Sequence, residues 1–345
     1  MASAMMHLFL RDNNQDYRDQ CTLQTCPLDL SYWAYLPSLA ANSLFLALFS
    51  LSLALYLIQA LLSRRFLGFT IAMLSGCALE VLGYIGRLMS RHNPFNQSAY
   101  LLQIVTLTIA PAFMAAAIYF TLSRIVTTFG AANSRLPPLW YPRVFIPCDV
   151  VSLLLQAGGG GAASVASHTG GDIGPGDHVM VAGLAFQVLT LAIFIALVAD
   201  FAWRTYTRQR AMGEEALDPA HAKLRQSRRF RGFLFALALA TLCIFTRCVY
   251  RVAELSEGWN GHLIETQRYF IGLEGAIVGA AVLALNAFHP GLCFREGYEE
   301  RGGFGFGKKK VVFADGETEK VNANSGHSSE GEVAAKPVME TVGEI

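Results

Sequence analysis

The stretch PSLAANSLFLALFSLSLALYLIQALL, residues 37–62, contains no charged side chain and decides the fold class of the chain. At a rise of about 1.5 Å per residue, it is long enough to cross a bilayer core of roughly 30 Å as a helix. Backbone groups in lipid must be hydrogen-bonded internally, so we expect an all-α integral membrane protein with seven transmembrane helices. The seven predicted spans are 37–62, 66–89, 99–129, 144–167, 179–203, 230–253 and 266–289.

The composition also indicates a protein that lies mainly in lipid. Hydrophobic residues make up 53% and charged residues 15% of the 345 residues, whereas soluble domains usually carry about 25% charged residues. The net charge of +1 gives no overall field that would attract nucleic acid. Residues 302–309 approach a phosphate-binding loop, but Lys309 stands where Ser or Thr is needed, and no strand precedes the segment. We therefore predict no nucleic-acid partner and no bound nucleotide.

Positive charges are distributed unevenly between the two sets of alternating loops. The set that includes the C-terminal tail carries 18 Lys and Arg residues, and the set that includes the N-terminal tail carries three. The positive-inside rule places the richer set in the cytosol, so the N-terminus is expected outside and the C-terminus inside. We expect residues 1–35 to form an extracellular tail, residues 36–290 the seven-helix transmembrane domain, and residues 291–345 a disordered cytosolic tail.

Charged and amide side chains within the spans are expected to cluster in the outer half of the bundle. A charge in a transmembrane helix is costly unless it is paired or faces a cavity, so such residues are candidates for a site. The spacings of four and three residues in the second and sixth spans place each set on one helical face. The candidates are Glu80, Tyr84 and Arg87 in the second span, Gln103 in the third, Gln187 in the fifth, Arg247, Arg251 and Glu254 in the sixth, and Glu274 in the seventh.

Two interpretations fit this outer cluster. Three carboxylates and three guanidiniums form either buried ion pairs that fix the register of the helices, or a polar cavity that opens outward and binds a head group or relays protons. Six charges are more than register requires, and buried pairs add little net stability. These considerations favour the functional interpretation.

The fourth span holds a second, smaller set of candidates. Asp149 follows Pro147 and precedes Gln156, and it is the inner polar residue that we most expect to matter. Residues 158–161 are four consecutive glycines, which predict close helix packing. A weak point that bends during a transport cycle is the alternative.

Two covalent modifications are compatible with the predicted outer side. Cys21 and Cys26 share the N-terminal tail, where oxidising conditions allow a disulfide, and the sequence leaves their pairing open. Asn96-Gln97-Ser98 matches a glycosylation acceptor, although its closeness to the third span argues against its use. The eight histidines are scattered along the chain, so we predict no metal site and no cofactor.

Several polar and glycine-containing segments together resemble the fungal RTA-like family, the lipid-translocating exporters named for resistance to aminocholesterol. These segments occur in order along the spans, so they are specific as a set. They are EVLGYIGR at 80–87, APAFMAAAIY at 110–119, DVVSLLLQ at 149–156, GLAFQ at 183–187, RCVYRVAE at 247–254, Glu274, and HPG at 289–291. The resemblance implies a seven-helix fungal protein with its N-terminus outside, commonly at the plasma membrane, and linked to resistance to toxic amphiphiles and release of sphingoid long-chain bases.

Three classes of function follow from these observations. The first is a transporter or floppase for amphiphiles such as sphingoid bases or sterol-like compounds, in which Glu80 and Glu274 hold an amine or carry protons and Arg247 and Arg251 hold an anionic group. The second is a seven-helix lipid receptor or sensor, although Ser123-Arg124-Ile125 replaces the usual receptor sequence. The third is a membrane hydrolase, for which neither a zinc site nor a nucleophile motif is visible. We favour the transporter, with membrane lipids or amphiphiles as partners; the sequence leaves the oligomeric state open.

Overall fold

The computed structural model describes residues 31–62, 66–258 and 261–294, apart from residues 32 and 34. The described part is helical and contains no strand. Seven of its helical segments are long and apolar enough to cross a membrane, which confirms the predicted spans. The first six long helices are α1 (Leu39–Leu62), α2 (Leu67–His92), α3 (Gln97–Phe129), α4 (Trp140–Thr169), α5 (Gly174–Met212) and α6 (Arg228–Ser256).

The seventh transmembrane helix, α7, is built from three consecutive segments. It begins with Gln267–Tyr269, continues as a π-helix over Phe270–Ala276, and ends as an α-helix over Ile277–Ala287. Short elements connect the long helices. They are the 3-10 turns Ala131–Asn133, Gly213–Ala216 and Pro219–His221, and the short helices Ala222–Gln226, His262–Glu265 and Pro290–Cys293.

The chain crosses from one end of the bundle to the other with each long helix. We call the end that holds residues 93–96 and 170–173 the Asn96 end, and the opposite end, with residues 130–139 and 213–227, the Arg135 end. Helix α5 has 39 residues, or about 58 Å, and is therefore longer than a bilayer core of roughly 30 Å. Its last turns carry Arg204, Arg208 and Arg210 and lie at the Arg135 end.

Apolar side chains are both buried between the helices and exposed on the outside of the bundle. Tyr119, Phe145 and Phe194 pack in the interior, with ring centroids of Tyr119 and Phe194 4.6 Å apart. Leu154 and Phe235 are more than 60% exposed, at 66% and 72%. Exposed apolar side chains of this size are unfavourable in water but favourable in contact with lipid tails. These surfaces are therefore the lipid-facing side of the helices.

Helices α4 and α5 approach closely through glycines. A Cβ atom on Gly159 would lie 2.5 Å from the backbone nitrogen of Met180, and one on Gly176 would lie 2.5 Å from that of Ala163. Since backbone atoms move little, neither position has room for a side chain. A Cβ on Gly158 or Gly161 would meet nothing within 4 Å. Of the four consecutive glycines, Gly159 is therefore the one that the α4–α5 contact requires.

We expect Gly159→Ala to destabilise the protein by roughly 1–3 kcal/mol, because the added methyl group forces two backbones apart. Gly158→Ala is the matched control and should be neutral or stabilising by up to about 1 kcal/mol, since alanine favours the helix and the position is open. Thermal unfolding of the two purified variants in detergent measures the difference. Equal unfolding temperatures would contradict the packing role of Gly159.

Candidate functional site

A buried ion pair between α6 and α7 forms the centre of the polar cluster. Nη2 of Arg247 lies 2.5 Å from Oε1 of Glu274, and each side chain is only 1% exposed. The same Nη2 donates a hydrogen bond of 2.6 Å to the carbonyl oxygen of Leu107 on α3. The guanidinium therefore joins three helices, and removing either member of the pair would leave a buried charge alone.

Pro111 explains why the Leu107 carbonyl is available to Arg247. In an α-helix the N–H of each residue bonds to the carbonyl four residues earlier, and proline has no N–H. Pro111 lies inside α3, so the carbonyl of Leu107 has no partner from its own helix. Arg247 supplies the missing donor. The proline thus creates an acceptor for a charged side chain in the middle of the bundle.

Glu80 on α2 lies beside this pair but is bonded to neither member. It interacts electrostatically with Glu274 and Arg247, and it is 1% exposed. Neither of its carboxyl oxygens makes a hydrogen bond with any residue that the structure describes. The hydroxyl of Tyr84, one turn further along α2, is equally without a partner, although its ring stacks on Phe49 at 5.6 Å. Buried polar atoms are nearly always bonded, so these orphan groups mark a place with a special role.

A second ion pair extends the cluster towards the Asn96 end. Arg251 pairs with Glu254 one turn away on α6. Tyr250 donates to the other carboxyl oxygen of Glu254 at 3.1 Å, and Arg251 donates to Thr108 on α3 at 3.0 Å. Arg251 also interacts electrostatically with Glu274. The two pairs thus belong to one electrostatic unit along α6.

Arg87 lies outside this unit and makes neutral contacts. Its guanidinium donates to Oδ1 of Asn42 at 2.9 Å and to Oε1 of Gln103 at 3.3 Å. It also donates to the hydroxyl of Tyr35 at 3.1 Å, and its charge lies 3.7 Å from the ring centroid of Phe270. It forms no ion pair with a described carboxylate. Of the six charged groups expected to meet, Arg87 is therefore bound by neutral partners, while Arg247 and Arg251 pair with glutamates.

The cluster therefore has one carboxyl group in excess. Two guanidiniums, Arg247 and Arg251, face three carboxyl groups, Glu80, Glu254 and Glu274. An isolated buried carboxylate is costly, so it takes up a proton or pairs with a cation. All five side chains are buried in this conformation, and the outward-opening cavity stays a prediction. Access to them requires the helices to move.

The other predicted candidates lie between α3, α4 and α5. Asp149 is buried beside the hydroxyl of Tyr119 and one of its oxygens has no described hydrogen-bond partner. Nε2 of Gln156 donates to Oε1 of Gln187 at 3.2 Å. Both glutamines are buried and engage each other, not the Arg247–Glu274 pair. No hydrogen bond among the described residues links these three side chains to the Arg247–Glu274 pair.

The π-helix of α7 was not predicted from the sequence. It covers Phe270–Ala276 and contains Glu274. A π-turn inserts an extra residue into the helical repeat and is frequent at functional sites. Gly275 lies against the ring of Phe45 on α1, which places Glu274 on the side that faces α6. Gly272 and Gly275 on either side of Glu274 are visible in the sequence. Glycines at this spacing are compatible both with a π-turn and with close helix packing, so they do not predict the π-turn.

Comparison with known proteins identifies the family. Residues 73–297 match the family model described as RTA1 like protein. The chain belongs to this family. The match contains both ion pairs, Glu80, Arg87 and the Asp149 region. Asn42 and Tyr35, which hold Arg87, lie before it. This result confirms the resemblance drawn from the sequence segments.

This RTA1-like protein is similar to three named proteins from Saccharomyces cerevisiae. The sphingoid long-chain base transporter RSB1 of strain ATCC 204508 / S288c is 36% identical over 76% of this chain and 74% of its own length. Protoporphyrin uptake protein 1 is 31% identical over 64% and 67%, and protein RTM1 is 30% identical over 62% and 65%. No solved structure matches.

Asn96 has a structural role in this RTA1-like protein. Its side-chain oxygen accepts a hydrogen bond of 3.2 Å from the backbone N–H of Ala99 and so caps α3. Asparagine at this position is explained by the cap alone, and glycosylation stays a prediction.

Cys21 and Cys26 lie outside the described residues. No group of three or more His, Cys, Asp or Glu residues within the described ranges is arranged to hold a metal ion.

Proposed function

We propose that this protein transports amphiphiles with an amine head group, of the sphingoid long-chain base class, across the membrane. The relatives named above include a sphingoid long-chain base transporter and a protein named for porphyrin uptake, which supports transport over signalling or catalysis. Resistance to such amphiphiles, and to sterol-like toxic compounds, would follow from their export.

The excess carboxyl group of Glu80 is the observation that carries this proposal. A protonated amine is a cation with N–H donors, and it would satisfy both orphan oxygens of Glu80 while balancing the surplus negative charge. Tyr84 offers a further hydrogen bond from the next turn of α2. The Arg247–Glu274 pair would fix the position of the carboxyl groups, and Arg251 with Glu254 would line the path towards the Asn96 end.

Release of the amine requires that another cation replaces it. A proton is the natural exchange partner, because a protonated carboxyl group is neutral and stable in a buried site. Binding of an amine at Glu80 and its displacement by a proton would alternate, with Glu274 as the neighbouring group that shares the change in charge. Since the site is closed in this conformation, each exchange accompanies a movement of α2 relative to α6 and α7.

The proposed orientation places the cluster in the outer half of the membrane. Cationic side chains are concentrated in the loops of the Arg135 end, which supports a cytosolic location for that end and an extracellular location for residues 1–35. We propose the plasma membrane as the site of action, with residues 36–290 as the transport domain and residues 291–345 as a cytosolic tail. Amphiphiles would then move outward as in a floppase.

Survival of Saccharomyces cerevisiae cells that lack RSB1 tests this function. Cells that express the protein should grow at several-fold higher phytosphingosine concentrations than cells with an empty vector. Gly158→Ala, which we expect to be neutral, serves as a control at matched surface abundance. No protection at normal abundance would contradict transport of sphingoid bases. Binding of labelled phytosphingosine without protection or export would favour the receptor or sensor alternative.

A further inference from the structure

Two adjoining cavities lie at the Arg135 end, apart from the carboxyl cluster. An apolar cavity of about 360 Å³ opens between α3, α5 and α6. It is lined by Leu122 and Ile125 of α3, Val198 and Phe201 of α5, and Leu237 of α6, among others. Its volume is within the range of about 300–1,000 Å³ that is typical of ligand sites. Such a cavity between membrane helices suits a hydrocarbon chain.

A smaller cavity of about 260 Å³, lined by both polar and apolar side chains, adjoins the apolar one. The two share Phe129, Gln209 and Leu234 as lining residues. Arg225 and Arg231 line only the smaller cavity, and neither cavity has an aspartate or glutamate among the described residues around it. The combined space is therefore apolar at its inner part and cationic at its mouth.

The two arginines have different roles at this mouth. Arg225 is buried and donates to the backbone carbonyls of Thr128 at 3.1 Å and Asp218 at 2.6 Å, so it holds the wall in place. Arg231 is exposed and makes no hydrogen bond or ion pair with the described residues. It lies in the first turn of α6, which begins at Arg228, where the helix dipole favours an anion.

We propose that this composite cavity binds an anionic phospholipid, with an acyl chain between α3, α5 and α6 and the phosphate at Arg231. A protonated amine would be repelled by the same mouth, so this site differs from the carboxyl cluster in the charge that it selects. Exposed Arg229 beside it would attract anionic lipid from the surrounding leaflet. The bound lipid would tie the end of α5 to the start of α6.

Photo-crosslinking in nanodiscs tests the proposal with the purified full-length protein. The probes are a phosphatidic acid and a phosphatidylcholine with the same photoreactive acyl chain, and mass spectrometry maps the labelled residues. We expect phosphatidic acid to label cavity residues at least about fivefold more than phosphatidylcholine. Arg231→Gln should abolish this preference, whereas the matched control Arg228→Gln should retain most of it. Equal labelling by both lipids, or equal loss in both variants, would overturn the proposal.

Two further arms separate the acyl chain from the phosphate. Ala238→Trp places an indole at a residue that lines the apolar cavity and should reduce labelling several-fold. Leu239→Trp is the control, because Leu239 is not among the residues that line it. Unchanged labelling in Ala238→Trp would overturn the location of the chain. Phosphatidic acid should raise the unfolding temperature of the native protein and inorganic phosphate should not. Equal stabilisation by the two would indicate a free-anion site and contradict a lipid.

Discussion

Arg247→Leu should destabilise the protein by roughly 3–5 kcal/mol, because it leaves the carboxylate of Glu274 buried without its partner. The substitution also removes the donor to the Leu107 carbonyl, which Pro111 leaves without a helical hydrogen bond. We expect a large fall in the unfolding temperature in detergent and reduced abundance at the cell surface. An unfolding temperature equal to that of the native protein would contradict the central position of this pair.

The double variant Arg247→Leu/Glu274→Leu separates stability from function. Replacing both members of a buried ion pair by apolar residues is often neutral or stabilising by about 1–4 kcal/mol. We expect the double variant to recover most of the unfolding temperature that the single variant loses. It should nevertheless remain inactive in transport, because the Arg247–Glu274 ion pair that surrounds Glu80 with fixed charges is gone. Recovery of both stability and transport would reduce the pair to a structural role.

Glu80→Gln should have the opposite pattern, with a normal fold and lost transport. Glu80 makes no hydrogen bond or ion pair with the described residues, so an amide of the same size breaks no existing contact. The amide carries no charge, and it loses the charge-assisted bond to an amine that we estimate at about 1.5–3 kcal/mol. Export of labelled phytosphingosine per surface molecule should fall by roughly tenfold or more.

Asp200→Asn is the matched control for this substitution. Asp200 forms partly exposed ion pairs with Arg135 at 2.8 Å and Arg204 at 2.9 Å, at the Arg135 end. Exposed pairs of this kind contribute about 1 kcal/mol or less, so both stability and export should stay close to native. Equal loss of export in Glu80→Gln and Asp200→Asn would show that export responds to any change of carboxylate and not to the carboxyl cluster.

Much of the fold was predictable because membrane spans depend on length and composition. The seven helices follow from apolar segments of sufficient length, and the helical spacing correctly placed Arg247, Arg251 and Glu254 along one buried face of α6. The sequence also indicated the Arg247–Leu107 contact indirectly, since Pro111 removes the donor that Leu107 would otherwise have. Pro111 shows that a donor is missing but not which side chain supplies it.

The partners within the cluster were not predictable from spacing. Periodicity gives the face of a helix but not which neighbour that face meets, so Arg87 was grouped with carboxylates although it contacts Asn42, Gln103 and Tyr35. Asn42 was visible as one of two amides in the apolar first span and could have indicated such a contact. The π-turn around Glu274 was not predictable either, because local sequence offers no specific pattern for a π-turn.

The most direct test of the central claim is the rate at which labelled phytosphingosine crosses the membrane of liposomes that contain the purified protein. Native protein should accelerate crossing well above empty liposomes, and Glu80→Gln, reconstituted at the same density, should fall close to the empty-liposome rate. Acceleration by Glu80→Gln equal to that by native protein would contradict amine binding at Glu80. No acceleration by the native protein would contradict transport by this protein itself.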